Sequence, residues 1–196
     1  MNCQLISILR LNPAWFAALA VLGSSALAAE IKYTLSGDNT KVEFVGAKPE
    51  GKHNGGFAKL KGFAVASKRD VMAGKVDVEI DVGSIYTDTD KLTKHLMSPD
   101  FFDVKNHPKA RFVSTKISGT EKAFKLTGDF TLLGKKVAIT VPVTVKQDGE
   151  TYDLSSEFKI NRQDFGMTYG TGKIENEVLI KLSIHARKSD IAGLGK

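Results

Sequence analysis

The chain of 196 residues carries 28 Lys and Arg against 22 Asp and Glu, which gives a formal net charge of +6. The basic residues are scattered in ones and twos and do not form the basic patch interleaved with aromatic side chains that a nucleic-acid site would show, so we expect no nucleic-acid partner. The single cysteine, Cys3, excludes a disulfide framework, and it precedes the apolar run instead of following it as a lipoprotein cysteine would.

The first element, residues 1–29, has the pattern of a secretory signal peptide. Arg10 is the only charged side chain before residue 30, an apolar run occupies residues 14–22, and small residues at 26–29 offer a cleavage site. The apolar run is short for a membrane span, which disfavours the alternative of an uncleaved anchor. We therefore expect cleavage at the end of this segment and a periplasmic or secreted product.

The remaining chain of about 165 residues is long enough for one domain with its own core and short for two. We assign this domain to residues 30–188. Residues 189–196 contain glycines and are predicted to form a flexible tail.

Apolar and polar residues alternate with a period of two over most of this domain, which predicts β-strands. The clearest example is the stretch from Lys75 to Val82, where every even position is aliphatic and every odd position is charged. The other predicted strands, in chain order, lie around Val42 and Phe44, and over residues 56–66, 111–117, 123–132, 137–146, 152–160 and 174–186. Gly134-Lys135 and Asp148-Gly149 are turn signals between them.

One stretch breaks this period and predicts a short helix near residues 89–97. Leu92, His95 and Leu96 fall at helical spacing, and Asp88 or Asp90 is positioned as the N-cap. Pro99 ends the helix because it excludes helical geometry at the preceding residue. The following Phe101 and Phe102 are predicted to cover apolar surface locally.

The strand pattern predicts an all-β fold of about eight antiparallel strands, either a sandwich or an up-and-down barrel. The strands are long for a small sandwich, which favours the barrel. Its inward face is almost entirely apolar, with room for packed side chains or for one elongated apolar ligand. Pro142 cannot donate to a ladder, so we expect a sheet edge, a bulge or a strand end there.

The residue types that usually carry chemistry show no catalytic or metal-binding spacing. The four histidines His53, His95, His107 and His185 include no HxH or HxxxH pair, so no metal site is predicted. The serines lack the surroundings of an activated nucleophile. The stretch "GKHNGG" at residues 51–56 lacks the features of a phosphate-binding loop and is interpreted as a flexible hairpin loop.

A polar cluster beginning at Asn161 and Arg162 ends one strand and leads into a glycine-rich loop. Arg162 could hold an anionic head group at the barrel rim, or it could bind Asp164 and loop carbonyls, and the second interpretation is favoured. The head-group candidates are His53, His95, Asn161 and Arg162.

Five motifs occur in order and together resemble the YceI-like family of secreted, lipocalin-like proteins. They are Ser-Ile-x-Thr at 84–87, His-Leu-x-Ser-x-Asp-Phe-Phe-Asp at 95–103, x-Pro-x-x-x-Phe-x-Ser-Thr at 107–115, Gly-Asp-Phe-Thr-Leu at 128–132 and Asn-Arg-x-Asp-Phe-Gly at 161–166. The resemblance covers nearly all of the chain after the leader. It departs from the family after the first strand, where residues 46–56 form a longer glycine-rich stretch that bears on ligand choice.

The resemblance implies an extended eight-stranded antiparallel lipocalin-like barrel that binds a long-chain isoprenoid or fatty-acyl lipid in its lumen, without catalysis and without a cofactor. Inward-facing apolar residues would line this lumen: Phe44, Val78, Ile80, Phe112, Phe124, Leu126, Phe130, Ile139, Val141, Leu154, Phe158, Val178, Ile180 and Leu182. Transient contact with a membrane and a homodimer are left open.

Two alternatives belong to other classes of protein. In the first, the barrel has a structural or partner-binding role and its own side chains fill the lumen, so it has no cavity. In the second, the protein carries an isoprenoid quinone as an accessory to a membrane redox or stress system.

Overall fold

The protein is described here by a computed structural model that covers residues 30–67, 74–187 and 191–192. The predicted signal peptide and most of the predicted tail lie outside these residues. The strands are β1 Glu30–Ser36, β2 Thr40–Lys48, β3 Gly51–Phe57, β4 Leu60–Ser67, β5 Lys75–Asp81, β6 Ile85–Thr87, β7 Lys109–Gly119, β8 Ala123–Leu132, β9 Lys135–Asp148, β10 Thr151–Asn161, β11 Glu177–Arg187 and β12 Ile191–Ala192. Helix α1 spans Asp90–Met97, and short 3₁₀ turns span Val82–Ser84 and Arg162–Phe165.

All twelve strands of the described residues belong to one antiparallel sheet, in the order β12-β1-β4-β5-β7-β8-β9-β10-β11-β2-β3-β6. Strand β11 pairs with β2, and β12, which follows it in the chain, pairs with β1, so the sheet curls round on itself. The all-β, barrel-like antiparallel fold is therefore confirmed.

The count of twelve strands differs from the predicted eight, because long strands are interrupted. Strands β1 and β2 are consecutive segments of one line, and β3 and β4 are consecutive segments of the next. The two lines run antiparallel, since β1 pairs with β4 and β2 pairs with β3. Strands β5 and β6 are likewise separated by the 3₁₀ turn. Joining these pairs, and β11 with β12, restores eight lines around the barrel.

The hairpin between β8 and β9 shows how the local sequence sets the register. The two strands pair from Ala123 opposite Thr144 to Leu132 opposite Lys135. Leu133 and Gly134 form the two-residue turn, with φ angles of 52° and 72°. Two positive φ values suit the right-handed twist of the flanking strands, and glycine adopts one of them without strain.

The proline in β9 lies beside a break in the barrel wall. Pro142 pairs with Lys125 of β8, but the ladder between β9 and β10 runs only from Asp148 opposite Thr151 to Thr144 opposite Ser155. Pro142 is thus two residues beyond the end of that ladder, where its missing N–H costs no strand hydrogen bond. This agrees with the expected sheet edge.

The prediction of a flexible loop at residues 51–56 is wrong, because this stretch forms most of β3. Its glycines are required by close packing across the sheet. A Cβ atom on Gly55 would collide with the ring of Phe44, and one on Gly56 would meet the hydroxyl of Tyr86 at 2.5 Å. The stretch therefore lacks apolar alternation and is nevertheless a paired strand.

The N-cap of helix α1 lies one residue away from each of the two predicted N-caps, Asp88 and Asp90. The N-cap is Thr89, whose side chain accepts a hydrogen bond from the Leu92 backbone N–H at 3.3 Å. Ser98 is extended and ends the helix before Pro99, as predicted. None of the helices in the part of the chain that the structure describes has the length and apolar character needed to span a bilayer.

The last long strand begins at Glu177, three residues later than predicted. Ile174 lies instead in a turn, where its backbone N–H donates to the Gly170 carbonyl at 2.8 Å. Its side chain packs against a cluster that contains Phe44. The apolar character of Ile174 therefore serves packing at the end of the barrel and does not mark a strand.

An ion pair joins two neighbouring strands on the outside of the barrel. Arg111 of β7 donates to Asp77 of β5 through Nε at 2.8 Å and Nη2 at 2.6 Å. These hydrogen bonds hold the pKa of Asp77 below its ordinary value. The pair therefore stabilises the fold above the ordinary carboxyl pKa of 3.8, and this contribution is lost as the pH falls through the lowered value.

The substitution Asp77→Asn is expected to lower stability at neutral pH and to matter less in acid. Denaturant midpoints of the wild type and the variant, measured at pH 7 and toward pH 3, should converge at the lower pH. A difference that stays constant over this range would show that the carboxylate charge does not act through Arg111.

Candidate ligand-binding site

The barrel encloses a cavity of about 1230 Å³ that runs through most of its length. Residues from the inward rows of the strands line it, and all fourteen residues predicted to face the lumen are among them. Additional apolar lining comes from Leu35, Phe57, Leu92, Leu96, Phe102 and Met167. The alternation of apolar and polar residues in the sequence thus predicts correctly which side chains line the cavity.

The volume of the cavity shows that it is too large to be an empty void in the folded protein. At about 24 cal/mol per Å³, a void of 1230 Å³ would cost about 30 kcal/mol. That figure exceeds the whole stability of an ordinary domain, which is roughly 5–15 kcal/mol. The cavity must therefore contain solvent or a ligand whenever the protein is folded.

Aromatic side chains cover the cavity at the end where α1 lies. The rings of Phe44 and Phe57 are 5.8 Å apart, and both approach Phe102, at 6.4 Å and 5.6 Å. Leu96 of α1 and Phe101 are buried beside them. The stretch after α1 therefore covers this end of the barrel with apolar surface, as its sequence predicted.

Two of the head-group candidates, His53 and His95, line the cavity at this same end. His53 Nδ1 lies 3.1 Å from a carboxylate oxygen of Asp88, and His95 Nε2 lies 3.1 Å from one of Asp100. The His95 ring also contacts the rings of Phe101 and Tyr169 edge to face, at 5.0 Å and 5.1 Å. Each of the two histidines thus lies close to a carboxylate and also lines the cavity.

The other two histidines lie away from the cavity lining. His185 faces outward and contacts Asp153 at 2.7 Å, and His107 lies in the loop before Pro108. Among residues 30–67, 74–187 and 191–192, no group of three or more His, Cys, Asp or Glu is placed to hold a metal ion.

Arg162 is 4% exposed and lines the cavity from beneath the glycine-rich loop. It donates to the carbonyls of Met167 at 2.7 Å and Tyr169 at 2.8 Å, and to those of Glu175 at 3.1 Å and Ile174 at 3.3 Å. A fifth bond reaches Asn176 Oδ1 at 3.4 Å. A guanidinium has five N–H groups, so its donors are fully used.

This geometry matches the favoured interpretation that Arg162 binds loop carbonyls, although Asp164 is not among its partners. Burial lowers the pKa of Arg162 from its ordinary value. Asn161 does not line the cavity; its side chain caps the following 3₁₀ turn by accepting from the Gln163 N–H at 3.0 Å. Both residues of this motif therefore organise the loop.

Several polar residues of the lining are not among the site residues that the sequence predicts. Lys122, Gln147 and Tyr152 line the cavity at the end opposite α1. Ser156 lines it near the middle of β10. Only Ser156 left a clear signal in the sequence, because it is a polar residue at an inward position of an otherwise apolar row.

Serines of the family-like motifs have structural roles. The Ser84 hydroxyl donates to the Asp81 carbonyl at 2.6 Å, and the Ser114 hydroxyl accepts from the Val76 N–H at 2.8 Å. Within the described residues, the hydrogen bonds of the two hydroxyls join them to backbone groups. These motifs therefore hold strand junctions together.

Comparison with known proteins assigns the chain to a family. The YceI-like domain model matches residues 33–186. A UPF0312 protein of Pseudomonas putida strain W619 is 31% identical over 191 residues, which cover 88% of this chain and 96% of that protein. Protein YceI of Salmonella agona is 29% identical over 180 residues, which cover 86% and 92%.

Solved structures show the same fold. BcnA of Burkholderia cenocepacia is similar with a TM-score of 0.69 and 30% identity, covering 75% of this chain and 96% of that chain. A polyisoprenoid binding domain from Saccharophagus degradans gives a TM-score of 0.63 at 15% identity, covering 82% and 98%. At that identity the second comparison supports the fold alone. The match of the domain model over residues 33–186, together with these relatives, shows that the chain belongs to the YceI-like family.

Proposed function

We propose that this protein is an exported, non-catalytic binding protein that holds a long-chain amphiphile of polyisoprenoid or fatty-acyl type in the barrel lumen. It would transport, store or sequester this ligand. The observation that carries the proposal is the cavity of about 1230 Å³ lined by the inward apolar rows of the strands. A solved structure of the same fold is described as a polyisoprenoid binding domain, and the ligand class proposed for this chain is taken from that protein.

The energetics favour a ligand with a long apolar tail. Each methylene group transferred from water into an apolar space contributes about 0.8 kcal/mol. A tail that displaces water from this lumen would therefore bind tightly without a strong polar anchor. The polar groups at the two ends then orient the head of the ligand and contribute little affinity.

Among the head-group candidates, His53 and His95 are favoured for contact with the ligand. Both line the cavity beside α1, and each keeps one ring nitrogen beyond the one that faces its aspartate. Arg162 would act at a distance through its charge, because its five donors are occupied by loop oxygens. Asn161 does not line the cavity, so it is not proposed to contact the head group.

The self-filled barrel is the weaker alternative, because its lumen would contain no cavity of this size. The quinone-accessory alternative shares the lumen and differs in its partner. It predicts association with a membrane enzyme that depends on the bound ligand, whereas a simple carrier binds its ligand without such a partner.

Export is proposed from the leader pattern of residues 1–29, with a mature domain from residue 30 to about residue 188. Cell fractionation followed by mass measurement of the purified protein tests this assignment. A mass that begins near residue 30 in the periplasmic or secreted fraction supports it, and a full-length product retained with the membrane favours the uncleaved anchor.

Binding is expected to strengthen with tail length until the lumen is full. For a series of primary alcohols, each added methylene should tighten the dissociation constant about fourfold, which corresponds to about 0.8 kcal/mol. Titration calorimetry on linear and prenyl alcohols of increasing length measures this slope. Affinity should level off once the tail exceeds the lumen, and an affinity independent of length would contradict the proposal.

A further inference from the structure

Ser156 is the middle residue of the eleven in β10, and its side chain belongs to the inward row between Leu154 and Phe158. Across the sheet it lies opposite Leu182 of β11, which also lines the cavity. The hydroxyl therefore interrupts an apolar wall. It lies about 17 Å from either end of the strand, at roughly 3.3 Å per residue.

The Oγ atom of Ser156 is buried and has no hydrogen-bond partner among the described residues. This differs from Ser84 and Ser114, whose hydroxyls make bonds at 2.6 Å and 2.8 Å. A buried hydroxyl without a partner opposes folding, and alanine at this position would avoid that cost. Its two neighbours on the inward row, Leu154 and Phe158, have side chains without a hydrogen-bond acceptor.

The ladder between β9 and β10 also ends next to this residue. Ser155 is the last residue of β10 that pairs with β9, so Ser156 is the first residue beyond the ladder. Serine has three staggered χ1 rotamers, so a change of χ1 can turn the hydroxyl from its buried position toward the cavity that Ser156 lines. The hydroxyl can turn toward an oxygen atom that enters the lumen.

We propose that Ser156 is a specificity-determining residue that donates a hydrogen bond to an acceptor oxygen of the ligand at mid-depth in the lumen. The acceptor is an uncharged carbonyl or ether oxygen, either within the chain or on a head group that enters the barrel. A carboxylate is excluded by the apolar surroundings, because a single hydroxyl does not compensate for the desolvation of a charge. This inference rests on the proposed function, since it requires an occupied lumen.

The test uses primary alcohols of one chain length, one unsubstituted and the others bearing a single keto group at successive positions along the chain. Titration calorimetry on the wild type should show one keto position that binds about three- to tenfold more tightly than its neighbours in the series. In Ser156→Ala this preference should disappear, while the affinity for the unsubstituted alcohol is unchanged or higher.

The matched control is Ser183→Ala, which removes an exposed hydroxyl from the outer face of β11 and should retain the keto preference. Without ligand, Ser156→Ala should unfold at the same denaturant concentration as the wild type or at a higher one. A loss of the keto preference in this variant can then not be attributed to misfolding. A clear loss of stability in that variant would show that the hydroxyl already has a partner and would overturn the inference.

Two further outcomes would also overturn it while leaving the carrier proposal intact. One is a wild type that binds the unsubstituted alcohol but shows no preference among keto positions. The other is a preference that Ser156→Ala retains. Failure of every alcohol to bind would instead contradict the proposed function itself, and the role of Ser156 with it.

Discussion

Replacing Val141 by tryptophan is expected to abolish the binding of long-chain ligands while leaving a folded barrel. Val141 lies in the middle of β9, is 4% exposed and lines the cavity. The added indole would occupy space that the tail of the ligand needs. Because Val141 packs against Leu126 and Val143 at one side of the cavity, the indole should also cost about 1–3 kcal/mol of stability, which is typical of overpacking.

The loss should exceed a hundredfold in affinity for a tail that spans the lumen, since displacing about four methylenes costs about 3 kcal/mol. Ile180→Trp, on β11 two strands away in the sheet, should have the same effect. The matched control is Ala138→Trp, which places an indole on the exposed face of the same strand. Undiminished binding by folded Val141→Trp would refute the lumen as the binding site.

Replacing Arg162 by methionine is expected to cause the largest loss of stability among single substitutions at the barrel ends. It would leave four backbone carbonyls and one amide oxygen without their donors, where one of the five hydrogen bonds is buried and the other four are partly buried. Unpaired buried acceptors cost about 1–3 kcal/mol each, and water will reach some of them. A total loss of about 3 kcal/mol is expected, or roughly 6–12 °C in Tm for a domain of this size.

Arg162→Lys should rescue little of this loss, because one ammonium group with three donors cannot reach acceptors arranged around a planar guanidinium. Arg111→Met removes an arginine from the exposed outer face and should have a much smaller effect. Denaturant unfolding of the three variants compares these outcomes. A loss below about 1 kcal/mol for Arg162→Met would show that the loop does not depend on its guanidinium.

The parts of the fold that the sequence predicts well are those in which one face of a strand is buried. The segment from Ala123 to Leu132 was predicted with the bounds that β8 has in the structure. Its alternation is strong because the inward residues contact the lumen and the outward residues contact water. The same alternation correctly identifies the side chains that line the cavity.

The failures have a different physical cause, which is packing between segments distant in the chain. The sequence at residues 51–56 suggests a hairpin loop, yet a Cβ atom on Gly55 would collide with Phe44 and one on Gly56 would collide with Tyr86, so this strand requires glycine there. Thr89 caps α1 in place of the nearby aspartates, a choice that depends on backbone geometry at one residue. Neither contact can be inferred from local composition.

The candidate site divides in the same way. The apolar lining can be predicted, because it follows from the alternation of apolar and polar residues along the strands. The hydrogen bonds from Arg162 to loop carbonyls cannot, because they depend on the conformation of the loop over residues 166–176. Ser156 occupies a regular inward position, but apolar periodicity alone does not single out a polar residue within the row. Polar residues at inward positions therefore merit the same scrutiny as clusters of histidine or aspartate.

If the lumen holds one long-chain lipid, native mass spectrometry of the protein purified from the cell fraction in which it is found should detect that lipid. Organic extraction of the same sample, followed by mass analysis, identifies whatever is released. The account predicts a stoichiometric adduct that extraction removes and that proves to be a long-chain lipid. An apo mass that stays unchanged after incubation with polyprenyl and fatty-acyl ligands would contradict it.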